Sequence, residues 1–248
     1  MKLFLPLWQR ETAAYFRTPV ASVGGAFFLL IVGSAFALLA SKSSGGVIDA
    51  EIVPAFFSSL WFWLAMLAVT PLLTMRLFAE EIRLGTLDAL LSAPVKEHEI
   101  VLSKFAAALA VFVLFWTPLL FYPLVARLCG ASLPLPDAGS LLASALGILL
   151  IGAFFLSAGL FCSLLSRHQV IAAMMSLAFL GLCASAGPIT DRFRFFAFSP
   201  VSHYFSLPRH MRDFAAGILD SRSIVLYLSA TMLLLFLSIR VLESKRLR

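Results

Sequence analysis

The stretch Phe78-Ala-Glu-Glu-Ile-Arg-Leu-Gly-Thr-Leu-Asp-Ala-Leu-Leu-Ser-Ala-Pro-Val-Lys-Glu-His-Glu-Ile-Val-Leu-Ser-Lys104 lies between two long apolar runs, residues 54–77 and 105–126. It carries Glu80, Glu81, Arg83, Asp88, Lys96, Glu97, His98, Glu99 and Lys104, in a chain that is only 13% charged. Its spacing is helical. Ile82, Leu87, Leu90 and Leu91 fall on one side, with Glu81, Arg83 and Asp88 nearer the other. Pro94 has no N–H and disfavours helix at Ala93. The spacing therefore predicts one short amphipathic helix over residues 79–93, lying at the cytoplasmic membrane face. A soluble partner can dock on such a rod.

Around it the chain is apolar. Of its 248 residues 61% are hydrophobic, and the mean hydropathy is +0.97. Soluble domains are about half apolar and about a quarter charged. The composition predicts an all-α polytopic membrane protein. The net charge of +6 comes from Lys and Arg flanking the apolar runs, where they act as topology signals rather than a nucleic-acid footprint. Cys129, Cys162 and Cys183 stand far apart, with no Cys-x-x-Cys pair, and read as small apolar residues.

The hydropathy pattern gives six spans, at residues 20–40, 54–77, 100–126, 138–165, 170–189 and 224–242. Residues 1–19 mix Leu3, Phe4, Leu7, Trp8, Tyr15 and Phe16 with Lys2, Arg10, Glu11 and Arg17, the pattern of an interfacial helix. Residues 20–248 form the membrane domain. Pro118 and Pro123 are expected to kink the third span. Ser166-Arg167-His168-Gln169 is a tight polar turn on the same side as the charged helix. Residues 191–223 form the longest stretch outside the spans, with an apolar helix expected over 214–220. About twelve of the 19 Lys and Arg lie on the side of the charged helix, so both termini are placed in the cytoplasm.

Away from their ends, the estimated spans contain no Asp, Glu, Lys, Arg or His, which argues against an ion-coupled carrier. Neither a charged ring nor a carbonyl filter motif argues for a channel. His98, His168, His203 and His210 form no His-Glu-x-x-His pair, no Gly-x-Ser-x-Gly elbow is present, and no phosphate loop is present. The chain is thus expected to hold no catalytic, cofactor or metal site. A membrane protein without an energy source, but with one cytoplasmic amphipathic helix, points to energy delivered by a separate subunit.

The run Glu80-Glu81-Ile-Arg83-Leu-Gly85-Thr86-Leu87-Asp88-Ala-Leu90-Leu91-Ser92-Ala-Pro94-Val95, followed by Ile100-Val-Leu-Ser-Lys104-Phe105, resembles the Glu-x-x-x-Gly-Thr-Leu-(Glu/Asp)-x-Leu-Leu-Ser-x-Pro-Val block of ABC-2 type transporter permeases. The branch it most resembles is that of gliding-motility and nitrous-oxide-reductase-maturation permeases. Ser199-Pro200-Val-Ser-His203-Tyr-Phe and Val241-Leu242-Glu243-Ser-Lys245-Arg246 add a weaker match.

The resemblance implies an N-terminal elbow helix, six spans in the inner membrane and a coupling helix between spans two and three. It also implies a permease dimer, of identical or paralogous chains, capped by cytoplasmic ABC ATPase subunits that bind ATP and Mg. An auxiliary extracytoplasmic protein is a further implied partner, and lipid surrounds the spans. On this basis Glu80, Glu81 and Arg83 are expected to make charged contacts with the ATPase. Gly85 is expected to permit close backbone approach, Thr86 to hydrogen-bond at a bend, and Leu87, Leu90 and Leu91 to anchor the helix to the spans or to the elbow helix. Asp88 belongs to the same coupling block, and Arg167 and His168 to a second cytoplasmic turn. Arg209, Arg212 and Phe214 are the candidate contacts for an outer partner, although the same loop suits an interfacial helix touching lipid headgroups. The alternative to a permease that exports or transmits motion is a non-transporting scaffold anchoring an extracytoplasmic assembly.

Overall fold

The computed structural model describes residues 4–43, 52–92, 95–122, 138–192 and 206–246. All regular structure among them is helical. In hydrocarbon every backbone polar group needs an internal partner, and a helix supplies one within its own segment. The helices are α1 (Phe4–Arg17), α2 (Pro19–Ser43), α3 (Ile52–Ser58), α4 (Leu60–Thr74), α5 (Ala79–Leu84), α6 (Thr86–Ser92) and α7 (Glu97–Trp116), the last continued by a 3-10 turn over Thr117–Phe121. After these come α8 (Ala138–Leu165), α9 (Gln169–Arg192), α10 (Leu207–Ala215) and α11 (Ser221–Arg246). Five segments are long and apolar enough to cross a membrane: Ser22–Leu39, Leu60–Leu84, Glu97–Leu119, Gly139–Leu165 and Ser221–Arg246. The apolar part of α9, Gln169–Ser185, is shorter.

Helix α8 is the axis of the bundle. It packs against α4, α7, α9, α10 and α11, and Ile151, Phe155, Leu156, Leu160 and Leu164 are fully buried. Small residues let its neighbours approach. A Cβ on Gly159 would stand 2.2 Å from Thr74 Oγ1 on α4, and one on Gly147 would stand 2.9 Å from the Phe214 ring on α10. Close approach of this kind is how helices associate where lipid removes most of the hydrophobic drive. A second knot is aromatic. Trp116 of α7 meets Phe28 of α2 at 4.8 Å and Phe62 of α4 at 5.2 Å between ring centroids. Both are tilted or edge-on arrangements that suit the ring quadrupoles.

Three expectations change. The second span is not one helix: Ser59 adopts extended backbone between α3 and α4, and its hydroxyl accepts the Phe62 N–H at 3.3 Å. Serine at such a cap competes with the helix ladder and starts a new helix. The helix expected over 214–220 lies instead at Leu207–Ala215. Pro208 stands in its first turn, where a residue needs no N–H partner. Pro118 tightens the end of α7 into the 3-10 turn. Pro123, Cys129, His203 and the loop over 127–137 lie outside the described residues.

Gly159→Leu should lower the melting temperature of the detergent-solubilised protein, since overpacking costs about 1–3 kcal/mol. Gly181→Leu, whose Cβ meets nothing within 4 Å, should leave it unchanged. Thermal unfolding by intrinsic fluorescence checks the pair.

Candidate functional site

The charged stretch begins where α4 ends. A helix terminus leaves carbonyls and N–H groups without intrahelical partners. Here neighbours supply them. Tyr15 of α1 donates its hydroxyl to Leu73 O at 2.6 Å. Ser163 of α8 donates to Met75 O at 3.2 Å and accepts the N–H groups of Phe78 and Ala79, each at 3.1 Å. One serine therefore closes the end of α4 and opens α5. Burial raises the Tyr15 pKa, with Glu11 adding to the shift, so the hydroxyl stays protonated and remains a donor.

The single helix expected over 79–93 is two helices meeting at Gly85. Its φ of 69° is left-handed, and its N–H returns to the Glu81 and Ile82 carbonyls. Glycine takes that conformation without a Cβ penalty, which is why it ends α5. A Cβ at Gly85 would meet nothing within 4 Å. Its role is thus to turn the chain rather than to admit a close neighbour within this chain. Thr86 Oγ1 donates to Glu81 O at 3.4 Å across the bend. Arg83, Leu84, Gly85 and Thr86 are exposed and form the tip of the corner. Leu84 is 61% exposed, whereas Leu87 is 4% exposed and anchors α6. Asp88 and Leu91 are on α6, but their side chains are outside the described set.

Glu80 and Glu81 turn away from the tip. Glu80 Oε2 stands 3.1 Å from Arg76 Nε. Glu81 Oε1 lies 2.8 Å from Lys104 Nζ, and Glu11 Oε2 of α1 lies 3.2 Å from the same ammonium. The Lys104 side chain is 2% exposed and sits 5.3 Å from the centre of the Phe78 ring. Arg10 holds the other Glu11 oxygen at 2.7 Å. The ammonium thus ties α1, α5 and α7 together. Burial works against the Glu11 carboxylate, but Lys104 and Arg10 outweigh it and hold its pKa below the usual range. Between α1 and the corner lies a cavity of about 590 Å³.

The site combines residues that sequence reading kept apart. Glu11 and Tyr15 read as parts of an interfacial helix, and Ser163 as one small residue among many. Lys104 corrects the expectation of uncharged span interiors: it is in α7 and buried. An isolated lysine entering an apolar run was the available signal, because at membrane depth such a group needs a partner.

The second turn and the C-terminal end of α11 gather at the same end of the bundle. Ser166 Oγ donates to His168 O and accepts its N–H, leaving Arg167 and His168 exposed. Lys245 donates to Leu164 O at 2.7 Å, capping α8, and Arg246 pairs with Glu97. Near the other end of α8, Arg212 donates to Ser58 Oγ at 3.2 Å and Arg209 is half-buried. Phe214, expected to face a partner, is 1% exposed and fills the space above Gly147. Among the described residues no cluster of His, Cys, Asp and Glu could hold a metal.

Residues 19–183 match the family model described as ABC-2 family transporter protein. The chain belongs to the ABC-2 transporter family. No individual curated protein matches it. The match to this ABC-2 membrane protein includes the whole corner from Phe78 to Lys104 and Ser163, which closes it. Glu11, Tyr15 and the C-terminal clamp lie outside the matched residues. Membership makes the chain a membrane transport component of a class that generally pairs with a cytoplasmic ATPase.

Lys104→Met should cost about 3–5 kcal/mol, because Glu81 loses its close cation and faces Glu11, which keeps only Arg10. The triple variant Lys104→Met, Glu11→Gln, Glu81→Gln should recover most of that loss. A folded-state pKa depressed below 4.5 for Glu11 contributes stability above that pH and loses it as pH falls through the native value. Melting curves from pH 7 to pH 3 should therefore fall more steeply for the wild type than for Glu11→Gln.

Proposed function

We propose that this chain is the permease subunit of an ATP-driven ABC-2 complex, exporting a substrate or transmitting motion, and that a separate cytoplasmic ATPase pushes on the corner of α5 and α6. The observation carrying this reading is a contrast within seven residues. Glu80 and Glu81 are engaged inside the chain, while Arg83, Leu84, Gly85 and Thr86 present an exposed tip with an apolar residue at its centre. A tip anchored by Ser163 and Lys104 transfers force to α8 and α7 without bending first.

The reading extends to the whole topology. Helix α9 has 24 residues, enough for about 36 Å at 1.5 Å per residue, so it serves as the fifth of the six spans. With six spans and the basic flanks described above, both termini are cytoplasmic in an inner membrane. Helix α1 is the elbow helix at the interface. A second copy or a paralogue completes the dimer, and Arg209 and Arg212 are offered to an outer partner. ATP and Mg belong to the ATPase.

From sequence, Glu80, Glu81 and Arg83 are together expected at the ATPase contact. Because Glu80 and Glu81 pair within the chain, the proposed contact centres on Arg83 and Leu84. The variant Arg83→Glu, Leu84→Asp should insert and melt like the wild type but recover at least about tenfold less of the ATPase on co-purification, the scale of one anchor contact. Undiminished recovery would remove the tip from the contact.

A further inference from the structure

We propose that His210 is a proton-sensitive latch between α10 and α11: uncharged it holds Tyr227, and charged it swings to Asp213 and Asp220. Its Nδ1 stands 2.9 Å from the Tyr227 hydroxyl, and the two rings meet edge to face at 5.8 Å between centroids. Tyr227 is 2% exposed, and among the described residues its hydroxyl has no other partner. A buried hydroxyl without an acceptor is costly. One tautomer spares it: the Tyr227 hydroxyl donates to Nδ1, and the imidazole keeps its own proton on Nε2.

A second proton ends that arrangement. It goes to Nδ1, the ring's one lone pair, and turns an acceptor into a donor. The Tyr227 hydroxyl proton then has nowhere to go, and the ring carries a charge that its half-buried position disfavours. A cavity of about 190 Å³ beside His210 offers the charged ring another place. Asp213, Asp220, Arg209 and Arg222 line it. Asp213 is three residues along α10 from His210, a neighbour on the helix surface. Among the described residues neither carboxylate is held by an ion pair, and Asp220 Oδ1 accepts the Arg222 N–H at 2.9 Å. The other packed helices leave this balance alone. Helix α3 has no titratable residue, and Cys162, the one on α8, adjoins Ser163 at the far end of that helix. Helix α9 carries Cys183, and also Asp191 and Arg192, whose side chains lie outside the described residues.

Burial lowers the His210 pKa from its ordinary 6.5, against the pull of Asp213 and Asp220 and with a push from Arg209. A depressed native value means that the latch is fully closed above about pH 6.5 and is lost as pH falls through that native value. Release is local, because Phe214 still fills the space above Gly147 and Arg212 still donates to Ser58. On the topology given under Proposed function, α10 lies at the outer end of the bundle, so the latch reads the acidity outside the cell membrane. The latch itself depends on neither that topology nor the ATPase.

The test is hydrogen–deuterium exchange of the full-length chain in detergent, with rates corrected for intrinsic exchange at each pH. Wild-type protection over residues 207–216 should fall about tenfold between pH 7.5 and pH 5, the scale of one hydrogen bond, while α8 keeps its protection. Tyr227→Phe should show the lower protection at both pH values. His210→Asn, which keeps an acceptor and cannot titrate, should show the higher protection at both. Asp213→Asn combined with Asp220→Asn should move the wild-type transition to lower pH. Unchanged wild-type protection, an equal fall in His210→Asn, or a parallel fall in α8 would overturn the latch. A transition that stays put in the double Asn variant would overturn the carboxylates as the ring's second station. Failed ATPase co-purification with this exchange pattern intact would count against the docking tip alone.

Discussion

An ammonium group out of water has to be neutralised where it sits. Lys104, buried at the start of the apolar part of α7, meets that requirement by drawing Glu11 from α1 and Glu81 from α5 to within 3.2 Å. The cost of an unpaired buried charge makes this contact selective rather than merely adhesive. Neither carboxylate can leave without exposing the other two groups. The position of α1 against α7 and the inward rotation of Glu81 both follow from it. So does the outward rotation of Arg83 and Leu84, which are two and three residues further along the same short helix.

Hydrogen bonds fix the same corner from the other side. The chain leaves α4 inside the bundle, where stray carbonyls and N–H groups are costly. Tyr15 and Ser163 meet the main obligations, so the turn between α4 and α5 is held by α1 and by α8 rather than by its own sequence. Gly159, one turn earlier on α8, lets that helix come close enough to α4 for Ser163 to reach. Packing and polar satisfaction are therefore one arrangement. A corner built this way is tied at its root to α1 and α8 and exposed at its tip.

Much of this was legible in the residues. The apolar runs gave the helical segments, and α8 runs over the same residues as the fourth predicted span. The Glu80–Val95 block pointed to the ABC-2 family, which the family match supports independently. Boundaries failed where a local signal was ambiguous. Ser59 reads as one more small residue in an apolar run until its hydroxyl is seen capping Phe62. Gly85 reads as a tolerated helix residue until its positive φ shows the helix ending there. Pro208 reads as a breaker, although a proline in the first turn begins a helix equally well.

Composition and periodicity alone determined that this chain is helical and multi-pass in a membrane, because hydrocarbon admits few backbone solutions and apolar length is a local property. They also located the charged corner. Which charges face inward and which outward was decided by the tertiary structure. Glu81 and Arg83 are equivalent candidates for a surface contact in sequence, and only a lysine 23 residues beyond Glu81 and a glutamate on α1 separate their roles. Side-chain pairing across helices depends on distances that no local pattern encodes.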